Sequence, residues 1–113
     1  MKQKITCPIA LKLSPDIKDS EITNINEMIL KYKIDGVILT NTTNQNRDDL
    51  LDTSRNEIGG LSGQPLKKLS LRFIKKFYKS NKGKIPIIGV GGIDSGESAF
   101  EKIAAGATVV QLY

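Results

Sequence analysis

Four short apolar runs alternate with three stretches of helical periodicity, and that alternation confines the chain to a parallel α/β architecture. Ile9-Ala10-Leu11-Lys12-Leu13 is apolar but for one lysine and stops at Ser14-Pro15-Asp16, as a buried strand does on entering a turn. Over residues 19–33, Ile22, Ile25, Met28, Ile29 and Tyr32 fall on one helical stripe, with Asp19 or Ser20 placed to cap it. Asp35-Gly36 breaks that pattern, and Val37-Ile38-Leu39-Thr40 reads as the second strand. Residues 44–57 are polar, the composition of a functional lid or a mobile loop. Gly59-Gly60-Leu61-Ser62-Gly63 follows. Pro65 then suits a first helical turn, Leu66, Leu69, Phe73, Ile74 and Phe77 supply the stripe, and Asn81 and Gly83 close it. Residues 85–90 form the third strand. Ser95 caps the third helix, whose expected apolar face is Ala99, Phe100 and Ile103, with Gly106 at its end. Residues 108–113 form the last strand.

The order β-α-β-α-β-α-β, with strands buried on both faces, predicts a parallel sheet. An open doubly wound sheet and part of a (β/α)₈ barrel both satisfy it; four units make half a barrel. Ser14, Asn41 and Gly91-Gly92 follow successive strands at their C-terminal ends, where both folds place their sites.

Composition narrows the function classes. The 113 residues fit one small domain or a piece of a larger one, and 39% hydrophobic with 26% charged residues is globular in character. No apolar run approaches the ~20 residues of a membrane helix, and the basic Met1-Lys2-Gln3-Lys4 start lacks the apolar stretch of a signal peptide. The lone Cys7 excludes an internal disulfide, and with no histidine there is no hydrolytic triad, no histidine-built zinc site and no expected metal. The net charge is +5, and much of the positive charge lies on one helix-like stretch, at Lys67, Lys68, Arg72, Lys75, Lys76, Lys79, Lys82 and Lys84. Without interleaved aromatic residues this reads as a solvated outer face, so no nucleic-acid partner is expected.

Four features can carry chemistry. Lys12 interrupts an apolar strand; it is either an edge-strand lysine reaching solvent or a cation for a bound anion. Thr40-Asn41-Thr42-Thr43 is either an ordinary polar turn or a grip for an amide or carboxylate. Gly89-Val90-Gly91-Gly92-Ile93-Asp94-Ser95 is a tight turn or a phosphate cradle at a helix start, and Gly59 to Gly63 is a hinge or a second cradle.

In combination these residues resemble a known family. Leu11-Lys12-Leu13-Ser14-Pro15-Asp16, Ile34-Asp35-Gly36-Val37 running into Thr40-Asn41-Thr42-Thr43, and Gly59-Gly60-Leu61-Ser62-Gly63-Gln64-Pro65-Leu66 come in order. Pro86-Ile87-Ile88-Gly89-Val90-Gly91-Gly92-Ile93, Glu101 to Ala107 and Val110-Gln111-Leu112-Tyr113 complete the series. Together they resemble the C-terminal half of class 2, quinone-dependent dihydroorotate dehydrogenase. The resemblance implies half of a (β/α)₈ barrel, with residues 1–113 a partial catalytic domain truncated at both ends. It implies FMN as cofactor, dihydroorotate and orotate as ligands, and a quinone as electron acceptor in de novo pyrimidine biosynthesis. At matching positions Lys12, Thr40, Gly63, Gly92 and Tyr113 are expected to contact FMN, and Asn41 and Thr42 to hold orotate. The family's catalytic serine base has no counterpart in these residues, so the chain alone is expected to be inactive. Membrane association, at the mitochondrial inner or bacterial cytoplasmic membrane, is expected only through a region N-terminal to this one. The alternative is an inactive remnant that binds a phosphorylated ligand or a partner surface.

Overall fold

The computed structural model describes residues 7–45 and 47–113, so the basic start at Met1–Lys4 and Asn46 of the polar loop lie outside it. Strands β1 (Ala10–Leu13), β2 (Gly36–Leu39), β3 (Ile87–Val90) and β4 (Val109–Gln111) alternate with helices α1 (Ile22–Lys31), α2 (Gln64–Asn81) and α3 (Gly96–Ala104). The strands lie side by side in chain order β1-β2-β3-β4, all parallel, as successive β/α units of a barrel do.

Register assigns each side chain to a face. Lys12, Ile38, Ile88 and Val109 stand opposite one another in neighbouring strands and share one face of the sheet. The alternate positions Val37, Leu39 and Ile87 are fully buried against the helices, where they meet Ile29, Phe73, Ile74 and Phe77. Phe73 and Phe77 stack with ring centroids 6.3 Å apart, and burying each contributes roughly 1.5–3 kcal/mol. The sheet is therefore covered on one face only, which corrects the expectation of strands buried on both. Lys12 and Val109 are exposed on the other face, and Ile38 and Ile88 are half-buried. The accessible surface of 8024 Å² compares with about 6,100 Å² for a closed monomer of this mass. The open sheet face and the exposed loop over residues 48–60 both contribute to the excess.

Two expectations about the helices change. Asp19 and Ser20 do not cap α1: a 3-10 turn at Asp19–Glu21 precedes it, and Glu21 accepts the Lys18 N–H at 3.1 Å. Asp19 instead accepts from Lys76 and Arg72 of α2, cations close enough to outcompete the backbone. The carboxyl of Asp19 consequently sits below its ordinary pKa, chiefly through the Lys76 hydrogen bond. In α3, Ser95 caps as expected, its Oγ accepting from Ser98 N at 3.1 Å, but the inward face is not the apolar one. Phe100 is 69% and Ile103 42% exposed, whereas Ser98, Lys102 and Ala105 are buried. This inward stripe follows the same i, i+4, i+7 period shifted by one position, because α3 approaches β3 over Gly89, where the Lys102 stem lies.

Candidate functional site

A cleft of about 340 Å³ opens at the C-terminal rim of the sheet. It draws on every strand: Lys12 from β1, Thr40 to Thr42 beyond β2, Val90 to Ile93 at the end of β3, and Gln111 to Tyr113 from β4. Ser62, Gly63 and Leu66, at the start of α2, complete it. The residues that the resemblance points to as ligand contacts, Lys12, Thr40, Asn41, Thr42, Gly63, Gly92 and Tyr113, line this one cleft; Thr43, Gly59 and Ser95 of the same motifs do not. A second hollow, of about 460 Å³, lies between the 3-10 turn and α2; its Asp19, Arg72 and Lys76 pair with one another.

The cleft residues differ in how far the protein itself satisfies them. Lys12 is exposed on the open sheet face and makes no ion pair among the described residues. Thr40 is 2% exposed, yet its Oγ1 has no hydrogen-bond partner. A buried hydroxyl without a partner is costly, so a ligand group that bonded Thr40 Oγ1 would recover that cost. Asn41 donates its backbone N–H to Leu13 O at 2.8 Å and turns its Oδ1 to Thr42 N at 2.9 Å. Its side-chain NH₂ makes no bond to another described residue.

The polar loop is fastened at its base beside the cleft. Thr43 and Leu61 exchange two backbone hydrogen bonds of 3.1 and 2.7 Å, and Asp16 accepts from Thr43 Oγ1 and from Asn44 N. Farther out, the Arg47 guanidinium donates to the carbonyls of Arg55, Glu57 and Gly59. Asp52 caps a 3-10 turn at Thr53–Asn56, and the Ser54 backbone and side chain hold its carboxyl below the usual range.

The glycines have separable reasons. Gly63 has φ +70 with open space around it, so its backbone conformation alone calls for glycine. Gly92 has φ +65, and a Cβ there would overlap the backbone of Lys67 in α2. The turn after β3 is therefore seated directly on the first turn of α2. Tyr113 is fully exposed.

Sequence reasoning missed a buried polar pair behind this turn. Lys102, 1% exposed, donates to Ser70 Oγ at 3.0 Å, and Ser70 Oγ donates to Val90 O at 2.6 Å. Burial, assisted by nearby Lys67 and opposed by Glu101, pulls the Lys102 ammonium down to about 8. The signal was present: Ser70 interrupts the apolar stripe of α2 at a core position.

Chemically the cleft offers a cation, an amide with uncommitted donors, a waiting hydroxyl and a glycine turn at the start of α3. That is a set for an anionic ligand with hydrogen-bonding groups. The class defined by fold and site is a (β/α)-barrel segment with its ligand cleft at the C-terminal rim.

The chain belongs to the dihydroorotate dehydrogenase family, whose pattern it matches over residues 1–113. It is 57% identical over 107 residues to dihydroorotate dehydrogenase (quinone) of Wigglesworthia glossinidia brevipalpis, covering 94% of this chain and 32% of that protein. The enzyme of the same name from Psychromonas ingrahamii is 55% identical over 107 residues, with the same coverage. Among solved structures, dihydroorotate dehydrogenase of Eimeria tenella in complex with ferulenol superimposes with a TM-score of 0.87 at 41% identity, covering 92% of this chain and 28% of that one. The ligand-free form of the Eimeria protein gives the same TM-score and identity. The chain spans about a third of the length of the curated relatives it matches.

Proposed function

We propose that residues 1–113 are the C-terminal portion of the catalytic barrel of a quinone-dependent dihydroorotate dehydrogenase and hold FMN and orotate at the rim cleft. The observation that carries this reading is the buried Thr40 hydroxyl, unpartnered in a cleft that also presents the unpaired Lys12. These residues fit a flavin: a cation, a hydroxyl and glycine backbone are what a ring that gains negative charge and a terminal phosphate need. When bound, FMN supplies the two-electron acceptor for dihydroorotate oxidation and passes the electrons to a quinone.

Lys12 would hold the flavin through its ammonium and would stabilise negative charge on the ring. Thr40 gives the ring a fixed hydroxyl. Asn41 and Thr42 hold the amide and carboxylate edges of orotate with paired donors and acceptors. The backbones of Gly63, Gly92 and Tyr113 would contact the cofactor, Tyr113 helping to hold its phosphate. The serine base that removes the substrate proton belongs to the part of the family barrel these residues do not match. Among the described residues no helix is long and apolar enough to cross a membrane, so membrane attachment in this reading comes from outside them.

The test is a chimera in which this chain replaces the matching third of the Wigglesworthia relative. Quinone-coupled dihydroorotate oxidation, lost in Asn41→Ala through a raised KM, is the expected result. A folded chimera that binds neither FMN nor orotate overturns the proposal.

A further inference from the structure

Lys102 is on the wrong side of the sheet to touch a ligand in the cleft, and the roles assigned above leave it unused. Its ammonium is buried in the seam between α2, α3 and β3, where its one hydrogen bond goes to Ser70 and it forms no ion pair among the described residues. Glu101, the opposite charge that acts on it, lies 3.2 Å from the Lys67 ammonium instead. An aliphatic chain of the same length would fill this seam without the cost of a buried charge. Filling space therefore does not account for the ammonium.

Its effect on Ser70 does. An ammonium only donates, so Ser70 Oγ must accept from it and spend its single O–H on the carbonyl of Val90. That carbonyl also accepts the Thr40 N–H at 3.1 Å. Val90 is thus held from the helix side by Ser70 and from the neighbouring strand end by Thr40. Ser70 and Leu66 also pack where a Cβ of Gly91 would lie, and Lys67 backs Gly92. The chain Lys102–Ser70–Val90–Thr40 runs from α3 to the backbone of Thr40, whose buried hydroxyl has no partner among the described residues.

We infer that Lys102 is a positioning residue: by dictating the direction of the Ser70 hydroxyl it presets the Val90–Gly92 turn and Thr40 for an anionic cofactor. This rests on the flavin reading of the cleft. In the chimera described above, FMN affinity is measured by flavin fluorescence quenching for the parent, Lys102→Met, Ser70→Ala and the double variant, with melting temperatures of the flavin-free forms. The expected result is a dissociation constant raised about tenfold or more in each single variant, no further loss in the double, and an unchanged or higher melting temperature for Lys102→Met. Two results would overturn the inference: a Lys102→Met dissociation constant within about twofold of the parent, or additive losses that track falling melting temperatures in both single variants. A parent chimera that takes up no FMN defeats the flavin reading itself, and this inference with it.

Discussion

Lys67 stands directly behind Gly92: a Cβ added to Gly92 would lie 2.6 Å from the Cβ of Lys67 and 2.7 Å from its Cα. Part of that obstacle is backbone in the first turn of a helix and cannot swing aside. The turn after β3 and the start of α2 thus form one rigid piece of the cleft floor.

Gly92→Ala is therefore expected to destabilise the fold by about 2–4 kcal/mol, combining a left-handed backbone with overpacking. Gly96, in the first turn of α3, has nothing within 4 Å of the point where a methyl group would sit. Gly96→Ala is expected to be neutral or to stabilise by up to about 1 kcal/mol. Urea unfolding of both variants checks the contrast.

The parallel order of strands and helices was legible because apolar periodicity and punctuation by Asp35-Gly36 and Pro65 are local signals. Asn41 and Gly92 were legible as rim residues because they directly follow apolar strands, whereas Gly63 and Tyr113 were named only through the family resemblance. The orientation of α3 was not: Phe100 and Ile103 look like a core face, and only the close approach of α3 over Gly89 brings Ser98 and Lys102 inward instead. Nor was the role of Asp19, which depends on Lys76, a residue distant in sequence. Tertiary proximity decided both.

The buried Lys102 gives stability a pH signature. Its pKa falls from the usual 10.5 to about 8 on folding, so between those values the unfolded chain binds more protons than the folded one. Stability contributed by this group therefore rises as pH increases from about 8 to about 10.5. The difference in urea midpoint between the parent and Lys102→Met should shift in the parent's favour across that interval. A difference independent of pH would show that the ammonium titrates normally.

Arg47 fastens the polar loop through the carbonyls of Arg55, Glu57 and Gly59. These bonds are exposed, so Arg47→Ala should shift global stability by no more than about 1–2 kcal/mol. Amide hydrogen exchange across residues 48–60 should accelerate well beyond that of the sheet.

Among the described residues the outer edges of β1 and β4 have no neighbouring strand, and the open face exposes Val109 and leaves Ile38 and Ile88 half-covered. Covering even ~400 Å² of apolar surface is worth about 10 kcal/mol, comparable to the ~5–15 kcal/mol net stability of a whole domain. The 113-residue chain on its own is expected to associate or melt without cooperativity. Sedimentation and melts at two concentrations test this, and a clean monomer with a concentration-independent melt would refute it.

If Lys12 and Thr40 hold a flavin at the rim cleft, the flavin content of the purified chimera measures it most directly. The account predicts close to one FMN per barrel, with FMN affinity lowered about tenfold or more by Lys12→Ala and also lowered by Thr40→Val, both variants remaining folded. A folded chimera without flavin, or one whose FMN affinity is indifferent to both substitutions, would contradict it.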